Sequence, residues 1–182
     1  LFADISGFTP LTSSMATLGA EGVEKVTTHL NTYFSNMINL INDHGGDVVK
    51  FAGDALIVIW PTSQQSSLYS MALLGCQCAL ALQRKMGHYV VGETELRIHI
   101  GVGAGKVAGI HVGGVQGRHE FFVAGHPMEQ VGSCEEQAEP GEIFVSPECQ
   151  SIIDAHFVGE LIGHNFRLDN IESPMSLPHT KE

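Results

Sequence analysis

Basic residues are scarce in this chain: nine lysines and arginines stand against twenty aspartates and glutamates, for a net charge of −11 over 182 residues. A surface that tracks nucleic-acid phosphates needs a basic stripe, so that class of partner is excluded. An acidic protein that handles a nucleotide must do so through metal ions and a few well-placed cations. Cysteine is also sparse. Cys76, Cys78, Cys134 and Cys149 show no C-x-x-C spacing and no disulfide-framework density, which predicts reduced, buried thiols rather than bridges or a zinc site. No uninterrupted apolar run reaches the roughly 18 residues a membrane span requires. The longest, Leu68 to Leu82, is broken by Ser70, Gly75 and Gln77 and reads as a buried helix. No basic, apolar and small-residue succession opens the chain, so no signal peptide is expected. The chain begins inside an apolar strand, as an excised domain would, and the expectation is a cytoplasmic domain that makes no membrane contact.

What is present is enough apolar material for one core, with 43% hydrophobic residues and a mean hydropathy of +0.10. A single domain over 1–172 is expected, with 173–182 a flexible tail. Leu1 to Ile5 reads as a strand, and Gly7 to Thr9 as a turn into a short helix holding Leu11, Met15 and Leu18. Val23, Val26, Leu30, Tyr33, Phe34, Met37, Ile38 and Ile41 then recur at helical spacing until Gly45-Gly46. Two strands, Asp47 to Phe51 and Ala55 to Trp60, flank Ala52-Gly53-Asp54 as a tight hairpin. A second long helix covers Leu68 to Met86. Leu96 to Val102 alternates strictly, which puts Arg97 and His99 on one face and the apolar residues on the other. Further strands are expected at Lys106 to Val112, Glu120 to Ala124 and Glu142 to Val145, and a helix from Pro147 to about Phe157. Beyond Gly163 the pattern weakens. Strand, helix, hairpin, helix, strand is the ferredoxin-like order, so the fold class predicted is α+β, a βαββαβ core with additional C-terminal strands and helix.

Two segments carry chemistry. Leu1-Phe2-Ala3-Asp4-Ile5-Ser6-Gly7-Phe8-Thr9 and Lys50-Phe51-Ala52-Gly53-Asp54-Ala55-Leu56-Ile57-Val58 each put one carboxylate at a strand edge beside tightly turning backbone. In the ferredoxin-like order the first strand lies beside the hairpin, which lets Asp4 and Asp54 face each other. Two carboxylates so placed repel and are stable with a divalent cation between them. The turn before the helix offers backbone amides to phosphate oxygens. Taken singly, each residue has a plainer explanation: Asp4 as a helix cap, Asp54 as a turn residue, Arg97 and Lys50 as solvated strand residues. None of the ten histidines shows a ligand spacing, and His99 and His111 read as ordinary strand residues.

Together the two segments resemble the catalytic domain of class III nucleotidyl cyclases, most closely the first catalytic half of soluble, bicarbonate-regulated adenylyl cyclases. The resemblance implies that Asp4, Asp54 and the Ile5 carbonyl hold two Mg2+ or Mn2+ ions. It implies that Gly7, Phe8 and Thr9 contact the β- and γ-phosphates of ATP, that Arg97 reaches the phosphates, and that Lys50 matches the lysine that reads adenine. The same resemblance implies a second cyclase domain as partner, because such sites form between two halves. It also exposes a departure. Around the family's Gly-x-x-Val-Asn-x-x-x-Arg helix the chain reads Phe122 to Ser133, with Phe122 at the purine-selecting position, Glu129 at the ribose-orienting asparagine and Ser133 at the transition-state arginine. None can do the expected job, which is the pattern of a metal-binding half whose partner supplies the missing groups. The degenerate second site would then be where bicarbonate or another regulator binds, with Lys50 beside it, although Gly132 takes the place of the arginine that helps hold bicarbonate. Two other readings stay open: a regulatory or dimerisation module with a decaying site, and a cyclic dinucleotide synthase suggested by Gly45-Gly46-Asp47, which lacks the acidic continuation.

Overall fold

A computed structural model describes residues 1–15, 19–114, 117 and 119–178. Leu18 and the last four residues of the expected tail lie outside the described residues, as does the Met15 side chain. The elements run β1 (Phe2–Ser6), α1 (Phe8–Met15), α2 (Gly19–Asp43), β2 (Asp47–Ala52), β3 (Ala55–Ile59) and α3 (Leu68–Met86). They continue with β4 (His88–Val91), β5 (Thr94–Val102), β6 (Ala108–Gly113), β7 (His119–Ala124) and α4 (His126–Gln137), then β8 (Ile143–Val145), α5 (Pro147–Ile153), β9 (Phe157–Ile162) and β10 (Asn165–Ile171). Among the described residues, no helix is long and apolar enough to cross a membrane.

An eight-stranded sheet has the order β2-β3-β1-β5-β8-β10-β9, with β4 paired to β5. Its first four strands are antiparallel neighbours in the ferredoxin-like arrangement. β8 joins β5 in parallel, and β10 and β9 extend the sheet as an antiparallel hairpin. Period-two alternation assigns the faces. Ala3, Ile5, Leu56, Val58, Leu96, Ile98, Ile100 and Val102 point inward and pack with Tyr33, Met37 and Ile41 of α2 and Leu73, Cys76 and Leu82 of α3 as one cluster. At about 1.5–3 kcal/mol per fully buried large aliphatic side chain, this cluster is the main source of stability.

The opposite face is covered by α4 over β5. That contact is possible because position 101 is glycine: a Cβ there would lie 2.5 Å from the Val131 carbonyl oxygen and 3.2 Å from the Glu135 nitrogen. β6 and β7 form a separate two-stranded sheet, and β6 is exposed along its whole length.

Several expected boundaries are corrected. β4 stands before β5 as a short hairpin strand turning at Gly92. The helix from Pro147 ends at Ile153, and Phe157 begins β9 instead, its ring 5.8 Å from that of Phe166 on β10. Of the expected tail, Met175 exchanges hydrogen bonds of 2.9 and 3.0 Å with the Gln77 side chain of α3.

Candidate active site

The β1–β5 ladder sets Asp4 opposite His99 and Ser6 opposite Arg97, so these four side chains share the face turned away from the core. On the other side of β1, Phe2 pairs with Ile57 and Ala3 with Leu56, and Asp54 lies in the β2–β3 hairpin turn just before β3. Gly53 in that hairpin has φ +69°, the left-handed conformation that favours glycine. Asp54 is near enough for its charge to act on the Asp4 carboxyl.

His99 Nε2 lies 3.4 Å from Asp4 Oδ2 and 3.0 Å from Glu135 Oε1. The Asp4 carboxyl is pushed above its ordinary range by burial first, then by the negative charges of Asp54 and Glu135, with His99 opposing them. A half-buried carboxylate with a second carboxylate acting on it is oxygen chemistry that a hard divalent cation accepts, so Asp4 and Asp54 fit the ions that the sequence implies.

The turn after β1 is held rigidly. Gly7 has φ +93°, and a Cβ there would meet the Glu95 carbonyl oxygen at 2.3 Å. Phe8 and Thr9 open α1, where amide groups lack helical partners; the Phe8 ring packs edge-on to Phe34 at 6.2 Å.

Arg97 is on the correct face but engaged. Its Nε donates to Glu95 Oε1 at 2.6 Å, and His88 Nε2 approaches the same oxygen at 3.0 Å. The Arg97 hydrogen bond holds the Glu95 carboxyl below its ordinary range.

Lys50 turns elsewhere. Its ammonium lies 3.5 Å from Glu120 Oε2 and 4.8 Å from the centroid of the Phe122 ring, both on β7. The structure therefore places Asp4, Ile5 and Gly7 along the end of β1 and its turn, with Asp54 near enough to act on the Asp4 carboxyl, Arg97 engaged by Glu95 and Lys50 in a separate group with Phe122. Glu129 is exposed on α4, and Ser133 accepts two hydrogen bonds from Asn165 Nδ2.

Two residues enter the site that the sequence reading left out. His99 is not an ordinary strand residue but stands between two carboxylates. Glu135 follows Val131 and Cys134 on the sheet-facing side of α4, so helical spacing carries the signal for it.

The profile of the "Adenylate and Guanylate cyclase catalytic domain" matches residues 1–171. Adenylate cyclase type 10 of Oryctolagus cuniculus is 30% identical over 161 residues, covering 87% of this chain and 10% of that protein. The Homo sapiens protein of the same name is 29% identical over 164 residues, with the same coverage of 87% and 10%. The chain thus spans about a tenth of the length of these relatives. Among solved structures, the adenylyl cyclase CyaB from P. aeruginosa superposes with a TM-score of 0.72 at 22% identity, covering 96% of this chain and 94% of that one. The guanylate cyclase domain of RhGC from Catenaria anguillulae, in complex with GTP, gives 0.74 at 17% identity and 94% coverage of both. At these identities the two structures establish the fold.

Proposed function

The chain belongs to the adenylate and guanylate cyclase catalytic domain family, and on that premise we propose that it is the metal-donating half of an adenylyl cyclase, forming cyclic AMP and pyrophosphate from ATP at an interface with a complementary half. The observation that supports this reading is an asymmetry. Asp4 is a half-buried carboxyl on which the charge of Asp54 acts, while Lys50 is engaged by Glu120 and Phe122 and the chain carries Phe122, Glu129 and Ser133 where the resemblance expects the groups that select the purine, orient the ribose and stabilise the transition state.

Asp4, Asp54 and the Ile5 carbonyl would hold two Mg2+ or Mn2+ ions, which when bound favour ionisation of the ribose 3′-hydroxyl and neutralise the departing pyrophosphate. The amides of Gly7, Phe8 and Thr9 receive the β- and γ-phosphates at the start of α1. Arg97 exchanges Glu95 for phosphate oxygens. Lys50 serves the degenerate site, and the partner's lysine reads adenine. Gly132 has open space around it but carries no cation, so the regulator at this face is held by other groups than the arginine that the resemblance assigns to bicarbonate. ATP as substrate and thiols kept protonated, Cys78 and Cys134 being pushed up to about 12 by burial, fit a cytoplasmic setting.

A partner is supported by the β6–β7 hairpin. Val107, Ile110, Val112 and Phe122 are 47%, 43%, 52% and 44% exposed, and a two-stranded ribbon with so little of its own cover gains stability from a second surface. The alternative, a catalytically degenerate regulatory or dimerisation module, draws on the same losses at Phe122, Glu129 and Ser133. One experiment separates the two: cyclic AMP formation from ATP with Mn2+, for the chain alone and mixed with a second half carrying the lysine, asparagine and arginine. Activity in the mixture alone is expected. Absence of activity in every mixture would leave the regulatory module.

A further inference from the structure

Three elements deliver three metal-ligating atoms to one point: Asp4 from β1, His99 from β5 and Glu135 from α4. Their ligand atoms all lie within 4.8 Å of one another. The proposed cyclase chemistry uses only Asp4 of the three. Ser6 Oγ sits 3.4 Å from His99 Nδ1; in the tautomer protonated at Nδ1 the hydroxyl accepts, and the Nε2 lone pair faces the two carboxylates. In that tautomer three acceptors face one another, and a cation between them, a metal ion or a proton on Nε2, relieves their repulsion.

The spacing is compatible with a small tetrahedral cation. A tetrahedral ion with ligand bonds of about 2.0–2.1 Å separates its donors by roughly 3.3 Å, and the two separations from Nε2 are 3.0 and 3.4 Å. Mg2+ and Ca2+ favour all-oxygen sets, whereas an imidazole with two carboxylates suits a first-row transition ion. The site is also built rather than incidental. His99 is 9% exposed, and the absence of a side chain at Gly101 lets α4 descend until the Glu135 nitrogen is 3.2 Å from where a Cβ would be.

We propose that Asp4, His99 and Glu135 form a binding site for a Zn2+-class transition ion, with a fourth position open, and that filling it withdraws Asp4 from the Mg2+ or Mn2+ pair. The withdrawal rests on the metal-donating reading; the ion site itself does not. Occupancy of the site would therefore inhibit the paired enzyme.

The test is direct binding to the whole chain without nucleotide, by Zn2+ calorimetry and by the visible absorption of Co2+ as a stand-in. One equivalent is expected to bind. His99→Gln and Glu135→Gln should each weaken Zn2+ at least about 10-fold, and Ser6→Ala about 10-fold through the imidazole it orients. Asp54→Ala should keep the Zn2+ site while losing Mn2+-dependent nucleotide binding, which separates a failure of this site from a failure of the cyclase reading. In the paired enzyme, Zn2+ inhibition should be relieved by Glu135→Gln. Zn2+ affinity unchanged in both His99→Gln and Glu135→Gln would overturn the site, as would a chain that binds no Zn2+ because the three atoms share only a proton.

Discussion

Lys50 lies against Phe122, its ammonium 4.8 Å from the ring centroid, on the same chain that presents Asp4 and Asp54 on another strand edge. An aromatic ring thus lies over the cation at that surface. Restoring the missing groups should open it. The triple variant Phe122→Asp, Glu129→Asn, Ser133→Arg, assayed alone with Mn2+ and ATP, is expected to gain cyclic AMP formation at least ~10-fold over the unmodified chain, one well-placed transition-state cation being worth that much or more. Adding Lys50→Ala to the triple variant should abolish the gain. A triple variant as inactive as the parent would argue against the half-site reading.

Asp4→Ala and Asp54→Ala test the metal site in the paired enzyme. Each is expected to lower Mn2+-dependent turnover by about 100-fold or more, since a bound ion contributes several kcal/mol to charge stabilisation. Circular dichroism should remain unchanged, because neither carboxylate belongs to the core. Unaltered ATP·Mn2+ affinity in both variants would remove the assignment.

The same carboxylate costs stability. Burial first, reinforced by Asp54 and Glu135, raises the Asp4 pKa above 3.8 in the folded protein, so folding takes up a proton. Below that ordinary value the group is protonated folded or unfolded and carries no penalty; as pH rises through the raised folded value, its ionisation destabilises the fold, and the penalty then persists to neutrality. Asp4→Asn should therefore raise the unfolding temperature at pH 7 by more than at pH 3.5. Added Mn2+ should stabilise the parent and leave the variant unmoved.

Gly7→Ala should be poorly tolerated. The new methyl group would meet the β5 backbone at Glu95, and φ +93° strains any residue with a Cβ. A loss of about 2–4 kcal/mol is expected from strain and overpacking together, read from urea unfolding; a loss under about 1 kcal/mol would mean that the turn has another stable conformation.

The ferredoxin-like core was legible because its elements repeat one rule over many residues: alternation in Leu96 to Val102, helical spacing from Val23 to Ile41, and a glycine hairpin at Gly53. β4 was not, because four residues with an exposed Val90 give alternation too little length to register. β9 and β10 were blurred by the irregularity between Leu168 and Asn170, which breaks the period along an edge hairpin. For the candidate site, local motifs single out Asp4, Asp54 and Gly7. His99 escaped because alternation assigns one face of a strand to the core and the other to water, and here α4 covers the second face as well.

Gly7 also bears on the thermodynamics of binding. A phosphate-binding turn on a free loop gives up conformational entropy each time a ligand orders it, and affinity is reduced by that amount. Here the backbone is pressed against the neighbouring strand before any ligand arrives. A polyphosphate meeting this turn would find its donors already at rest, so the loop's share of the ordering cost has been met by folding.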